Sequence, residues 1–140
     1  AQLKQTRGCV LFISGGQSYV PFRYQAHVGA AKAGIDMLMR DLALEWGRYG
    51  IRCNSIVPGP IENTEGMSRL TSKDDPDMWN KFIPLGRMGT HVEIGQMAAV
   101  MTSPLASYMT GAQVVVDGGQ NLVGSAYFNS AVEDLVVKRG

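Results

Sequence analysis

Two stretches of this chain carry residue types whose spacing could do chemistry. The first is His27-Val28-Gly29-Ala30-Ala31-Lys32-Ala33, a lysine set among small residues. About twenty residues further on comes Ile51-Arg52-Cys53-Asn54-Ser55-Ile56-Val57-Pro58-Gly59-Pro60-Ile61-Glu62-Asn63-Thr64. Its first half reads as a buried strand and its second as a tight loop. Pro58 and Pro60 fix φ, and Gly59 has no side chain to hold a ligand away. In an open α/β sheet, ligands bind at the carboxyl ends of the strands. Alone, Lys32 reads as a surface helix lysine; with the Pro-Gly-Pro loop at this distance it reads as a binding residue. Ser14 closes an earlier apolar run, and its hydroxyl either holds a ligand or simply ends a strand. Tyr24 and Tyr19 precede Lys32 in a polar loop, as proton donors if the loop brings them within reach, or as rim aromatics. Arg69 offers a guanidinium suited to phosphate, or a solvated charge. Met67, Met78, Met88, Phe82 and Trp79 either line an apolar pocket or pack a lid. His27 reads as a capped or partly exposed histidine. The two His and two Cys have no metal-ligand spacing, and no basic patch with interleaved aromatics favours nucleic acid.

These residues need a scaffold. Cys9 to Ile13 is a short apolar run ended by Ser14-Gly15-Gly16, hence a strand. A helix is expected from about His27 to Arg48, with Val28, Ala31, Ile35, Leu38, Leu42 and Trp46 on the sheet face. Gly29, Ala30, Ala33 and Gly34 form a second, small face that permits close approach of a partner helix. Gly50 is a left-handed cap, and Ile51 to Val57 is the second strand. Residues 62–89 have no strong periodicity and read as a functional lid with short helices, or else as disordered. Thr90-His91-Val92-Glu93 is a capping box opening a helix through about Thr102. Gly111 to Val116 is the third strand, turned by Asp117-Gly118-Gly119, and a short helix is expected around 130–137. Continuous apolar strands imply a parallel sheet covered on both faces, with right-handed crossovers.

The 140 residues carry 45% apolar and 18% charged side chains with a net charge of +1. These values fit one globular domain and give no electrostatic case for nucleic acid or an anionic membrane. No apolar run is long enough for a membrane span. Cys9 and Cys53 fall in strands and read as buried thiols of a reducing compartment. The polar start shows no secretory signal, and Val136-Val137-Lys138-Arg139-Gly140 is not a Ser-Lys-Leu address. The expected location is cytoplasm or an organelle matrix.

The motifs from about Arg7 to Gly119 resemble those of the short-chain dehydrogenase/reductase family, nearest to its peroxisomal-type 2,4-dienoyl-CoA reductase branch. The resemblance rests on His27 to Lys32, Pro58 to Gly66, Ser103 to Gly111, and Asp117-Gly118-Gly119. It implies a Rossmann-like doubly wound parallel sheet, of which 1–140 is the C-terminal part: about three strands with crossover helices and a lid. The Gly-rich turn that binds the cofactor diphosphate in a complete domain is absent here. The resemblance also implies NADPH as cofactor, with Lys32 on the nicotinamide ribose and Pro58, Gly59, Pro60, Ile61 and Thr64 around the nicotinamide half. It makes Lys32, Ser14 and Tyr24 the catalytic candidates and Arg69 the residue facing the phosphates of an acyl-CoA thioester. The usual family tyrosine stands four residues before the lysine, where this chain has Val28. Gln17 stands where the mitochondrial-type enzymes have theirs. The implied activity is reduction of conjugated enoyl- or dienoyl-CoA, in a homo-oligomer paired through helix 27–48. A non-catalytic structural subunit and a carbonyl reductase using Tyr24 are the alternatives.

Overall fold

The computed structural model describes residues 2–125, so the helix expected around 130–137 lies outside the described residues. The elements run α1 (Gln2–Thr6), β1 (Cys9–Ile13), α2 (Ala26–Trp46), β2 (Arg52–Pro58), α3 (Glu65–Leu70), α4 (His91–Thr102) and β3 (Gln113–Val116). The three strands form one parallel sheet in the order β1-β2-β3. Val10 lies beside Cys53, Phe12 beside Ser55, and Ser55 beside Gln113. β2 is the central strand, and Cys53 to Val57 are buried. Burial of five successive residues, Asn54 and Ser55 among them, is what a strand covered on both faces shows.

Side-chain alternation along the strands shows which helix covers which face. Val10, Phe12 and Cys53 point towards α2, where they meet Met39, Ala43, Leu42 and Trp46. Cys9 and Arg52 point the other way, towards the end of α4. There the Cys9 thiol faces the carbonyl of Thr102, and the Arg52 guanidinium donates to the carbonyls of Met101, Ser103 and Met109. The chain steps in one direction across the sheet, yet its two covering helices lie on opposite faces. Both crossovers therefore cannot be right-handed, contrary to the expectation. Right-handed crossovers are the strong default, and one of the two here departs from it. The long 62–89 segment between β2 and α4 gives the chain room to change face.

The sheet-facing stripe of α2 is also shifted from the one expected. Asp36 and Met39 are buried, whereas Leu38 is half exposed and Ala31 lies on the outside. The helix lies on the sheet along 28/32/35/36/39/43, a stripe that a polar residue, Asp36, conceals from hydrophobic counting. Gly29 is not on an outer face either: a side chain there would sit 3.1 Å from the Gln17 carbonyl. The helix ends in a further turn closed by Gly50 at φ +73, in the left-handed region.

The 62–89 segment is pinched at its base. Glu62 N donates to Gly89 O at 2.9 Å and Gly89 N to Pro60 O at 2.9 Å, forming an isolated bridge. Near its end, Leu85 N donates to Gly118 O, tying the segment to the turn after β3. Between these ties stand α3 and a single turn at Asn80–Phe82. No helix among the described residues is long and apolar enough to cross a membrane.

The capping box at α4 forms. Glu93 N donates to Thr90 Oγ1, Thr90 N donates to Glu93 Oε2 at 2.8 Å, and Arg87 pairs with the same carboxylate. The Arg87 hydrogen bond first, then those from Thr90, hold the Glu93 carboxyl at about 2, below its ordinary 4.5. A depressed carboxylate stabilises the fold above its unfolded pKa and loses that contribution as pH falls through the folded value. The melting temperature of wild type should therefore exceed that of Glu93→Gln by a constant margin above about pH 5. That margin should close between about pH 4.5 and 2.

Candidate active site

The carboxyl ends of β1 and β2 open into one groove of about 500 Å³. β1 contributes Ile13 and, just beyond it, Ser14, Gly15, Gly16 and Gln17; β2 contributes Pro58 and then Gly59, Pro60 and Ile61. Val28 and Lys32 project from α2, Thr64 caps α3, and Gly66, Met67 and Leu70 come from α3 itself. Phe22, Gln25, Trp79, His91, Ile94 and Gln120 complete the lining. The sequence thus gathers Lys32, Ser14, the Pro-Gly-Pro loop and Thr64 around a single, largely apolar space.

Lys32 is held at the mouth of β1. Its Nζ donates to the carbonyl of Ile13 at 2.9 Å, using one of three ammonium donors. Ser14 is 4% exposed; its backbone N–H continues the sheet by donating to Ile56 O at 2.8 Å. Its hydroxyl donates to Asp36 Oδ2 at 2.7 Å. Asp36, 2% exposed, also accepts from Ser55 Oγ at 3.1 Å and Gln113 Nε2 at 2.6 Å. Asp36 was not singled out from sequence. The signal was present: an acidic residue between Ile35 and Met39, on a stripe that must face the sheet, needs buried donors.

Gly59 lines the groove and also lies against the turn after β3. A side chain there would meet the Asp117 α-carbon at 2.7 Å, so the bare glycine lets the turns after β2 and β3 touch, and its N–H donates to Val116 O. Asp117 in turn accepts from the N–H groups of Gly119 and Asn121. Ile61 N–H stays outside the bridge at Gly89, which uses the N–H groups of Glu62 and Gly89. The Thr64 hydroxyl is engaged locally: it donates to Ile61 O at 2.9 Å and accepts from Met67 N, as the N-cap of α3.

Other expected residues lie away from the groove. Tyr24 is 98% exposed, at φ +63, and does not line it. Tyr19 accepts from Asn121 Nδ2 at 2.9 Å; burial, then the charges of Asp117 and Asp36, push its phenol above its ordinary value. Arg69 pairs with Glu65 one helical turn earlier, on the exposed side of α3. No tyrosine among the described residues lines the groove, and Val28 presents an apolar side chain where an acid one turn before Lys32 would stand. Gln17 and Gln25, which do line it, bond to each other at 3.0 Å.

A groove at the carboxyl edge of a parallel sheet, with a lysine and a proline-rich loop on its rim, defines the class. Residues 1–121 match the family model described as enoyl-(acyl carrier protein) reductase, and the chain belongs to the short-chain dehydrogenase/reductase family. Among curated proteins it is similar to the peroxisomal 2,4-dienoyl-CoA reductase of Saccharomyces cerevisiae, 42% identical over 137 residues, 98% of this chain and 47% of that protein. Among solved structures, a putative gluconate dehydrogenase from Agrobacterium tumefaciens superposes with a TM-score of 0.78 at 30% identity, covering 86% of this chain and 48% of the other. An NADPH-bound short-chain oxidoreductase from Pseudomonas aeruginosa, described as having an atypical catalytic centre, gives 0.74 at 30% identity, covering 84% and 48%. The chain spans less than half the length of these relatives.

The exposure of Tyr24 yields a direct test in the full-length protein. Tyr24→Phe should leave turnover within about twofold, because a phenol in bulk solvent transfers no proton to a reacting group beyond hydrogen-bond reach.

Proposed function

We propose that this chain is the active-site half of an NADPH-dependent reductase of conjugated enoyl- or dienoyl-CoA thioesters. The observation that carries this reading is a groove that holds Lys32 and the Pro58–Ile61 loop but puts Val28, not a phenol, beside them. Reduction of a ketone needs an acid at the carbonyl oxygen. Hydride addition to a conjugated thioester instead leaves charge spread to the thioester oxygen, which fixed donors can stabilise. An apolar groove with few polar groups suits an acyl chain, and the names of the similar 2,4-dienoyl-CoA reductases support that substrate class. The exposed Tyr24 gives the carbonyl-reductase reading no support.

The residues present fit the nicotinamide half of such a cofactor. Lys32 keeps two ammonium donors beyond its bond to Ile13, and Ile61 N–H lies outside the bridge at Gly89. When bound, the nicotinamide supplies the hydride. Lys32 holds the ribose hydroxyls, and the Pro58–Ile61 backbone orients the carboxamide. Thr64 fixes the start of α3 against that loop. Met67, Leu70 and Trp79 exclude water from the acyl side. The NADPH-bound relative of similar fold supports the phosphorylated cofactor. The segment 62–89 acts as the substrate lid, and Arg69 on its outer side meets the coenzyme phosphates by exchanging Glu65 for them. The outer stripe of α2, with Ala30, Ala33, Gly34, Met37 and Leu38 exposed, supports pairing of subunits through that helix. The peroxisomal name of the yeast relative supports an organelle matrix as the compartment.

In the full-length protein, Lys32→Ala should lower turnover of a dienoyl-CoA by on the order of a hundredfold while circular dichroism stays unchanged. Near-normal turnover would remove Lys32 from the site. Arg69→Ala should raise KM about tenfold or more for the acyl-CoA, and far less for a truncated thioester without the nucleotide. Equal effects on both would return α3 to a structural role.

A further inference from the structure

The hydrogen bonds around Asp36 have directions fixed by chemistry alone. A guanidinium only donates, so the Arg40 bond to Gln113 fixes the amide oxygen of Gln113 outward, towards Arg40. Its Nε2 must then face Asp36, to which it donates at 2.6 Å. A carboxylate only accepts, so the protons of Ser14 and Ser55 are also committed to Asp36, at 2.7 and 3.1 Å. Among the described residues no donor reaches Ser14 Oγ. Its hydroxyl therefore has its one proton spent inward and its acceptor capacity unused, on a residue that lines the groove beside Ile13 and Lys32.

We infer that Asp36 is a positioning residue that locks Ser14 as a hydrogen-bond acceptor, so that Ser14 takes a donor group of the ligand and cannot donate to a developing oxyanion. This rests on the reading of the groove as a nicotinamide-cofactor and thioester site. A thioester carbonyl only accepts, so it has no bond to make with such a serine. The matching donors are the ribose hydroxyls and the carboxamide N–H of the cofactor, or the amide N–H groups of the pantetheine arm. The cofactor is the favoured source, because Ser14 adjoins the Ile13 carbonyl that Lys32 grips.

The network also supplies its own inversion. In Asp36→Asn, Gln113 still donates, so the asparagine oxygen stays towards Gln113 and Ser14, and Ser14 remains an acceptor. In the double variant Asp36→Asn with Gln113→Glu, the introduced carboxylate keeps Arg40 but can only accept. The asparagine NH2 must then turn to face both that carboxylate and Ser14. Ser14 now accepts from within and sends its proton into the groove. Every buried group stays paired, so polarity at Ser14 changes with little change in packing.

The test uses the full-length protein, with NADPH affinity read by nucleotide fluorescence and KM and kcat read with a dienoyl-CoA. Ser14→Ala should weaken NADPH about two- to tenfold, the loss of one hydrogen bond. The double variant should weaken it more than Ser14→Ala, since a donor then faces a donor, and Asp36→Asn should weaken it less than the double variant. If KM for the thioester rises while NADPH affinity holds, the donor belongs to the pantetheine arm, and the acceptor assignment stands. Ser14→Ala with wild-type NADPH affinity and wild-type KM overturns the inference, whether or not the double variant folds. A folded double variant no weaker than Asp36→Asn, for whichever ligand Ser14→Ala weakens, overturns it as well. Wild-type protein that binds no nicotinamide nucleotide removes the proposed function itself; nucleotide binding indifferent to these changes removes this inference alone.

Discussion

One buried carboxylate ties this fold together. Asp36 sits in the middle of α2 and receives hydrogen bonds from the residue after β1, from the central strand β2 and from the first residue of β3. A helix packed on a sheet by apolar contacts alone has freedom to slide along its axis, because dispersion and hydrophobic burial are not directional. Three directed bonds to one carboxylate remove that freedom. A buried polar group left without partners costs about 1–3 kcal/mol, and a charged one more. What the arrangement provides is registration of α2 against all three strands.

Registration matters because the groove is assembled from separate pieces of chain. Lys32 is one helical turn before Asp36, so fixing one fixes the other over the mouth of β1. The turns after β2 and β3 are locked where Gly59 meets Asp117, and the base of the 62–89 segment is closed at Ile61 and Gly89. The rim is thus rigid on the sheet side. Its adjustable parts are α3 and the turn at Asn80–Phe82, whose ends are held but whose outer surfaces are exposed. That division places precision at the lysine and adaptability on the side of α3.

Much of this was legible in the amino-acid order. The run from Ile51 to Val57 announced a strand, the periodic residues from 27 to 48 announced the helix α2, and Thr90 with Glu93 announced the start of α4. The gathering of Lys32, Ser14 and Pro58–Ile61 follows from parallel strands ending at one edge. Three things were hidden. Asp36 was concealed because a polar residue on a buried stripe looks like an interruption until its partners, distant in sequence, are known. The change of face by α4 was concealed because no periodicity in the 62–89 segment signals where the chain crosses the sheet edge. The place of Tyr24 was concealed because a loop of aromatic and polar residues does not encode which ring turns inward.

The reliance of Asp36 on Gln113 also bears on how the unit holds together as a whole. β1, α2 and β2 are contiguous and could pack by themselves, but β3 arrives only after the long stretch from Pro58 to Gln113. Without β3 the carboxylate keeps its two serines and loses its third donor, inside an apolar interface. Partly assembled states are thereby penalised at the point where they would otherwise look complete. The buried charge makes the layer cooperative: the first two strands gain their full stability only when the last one is in place.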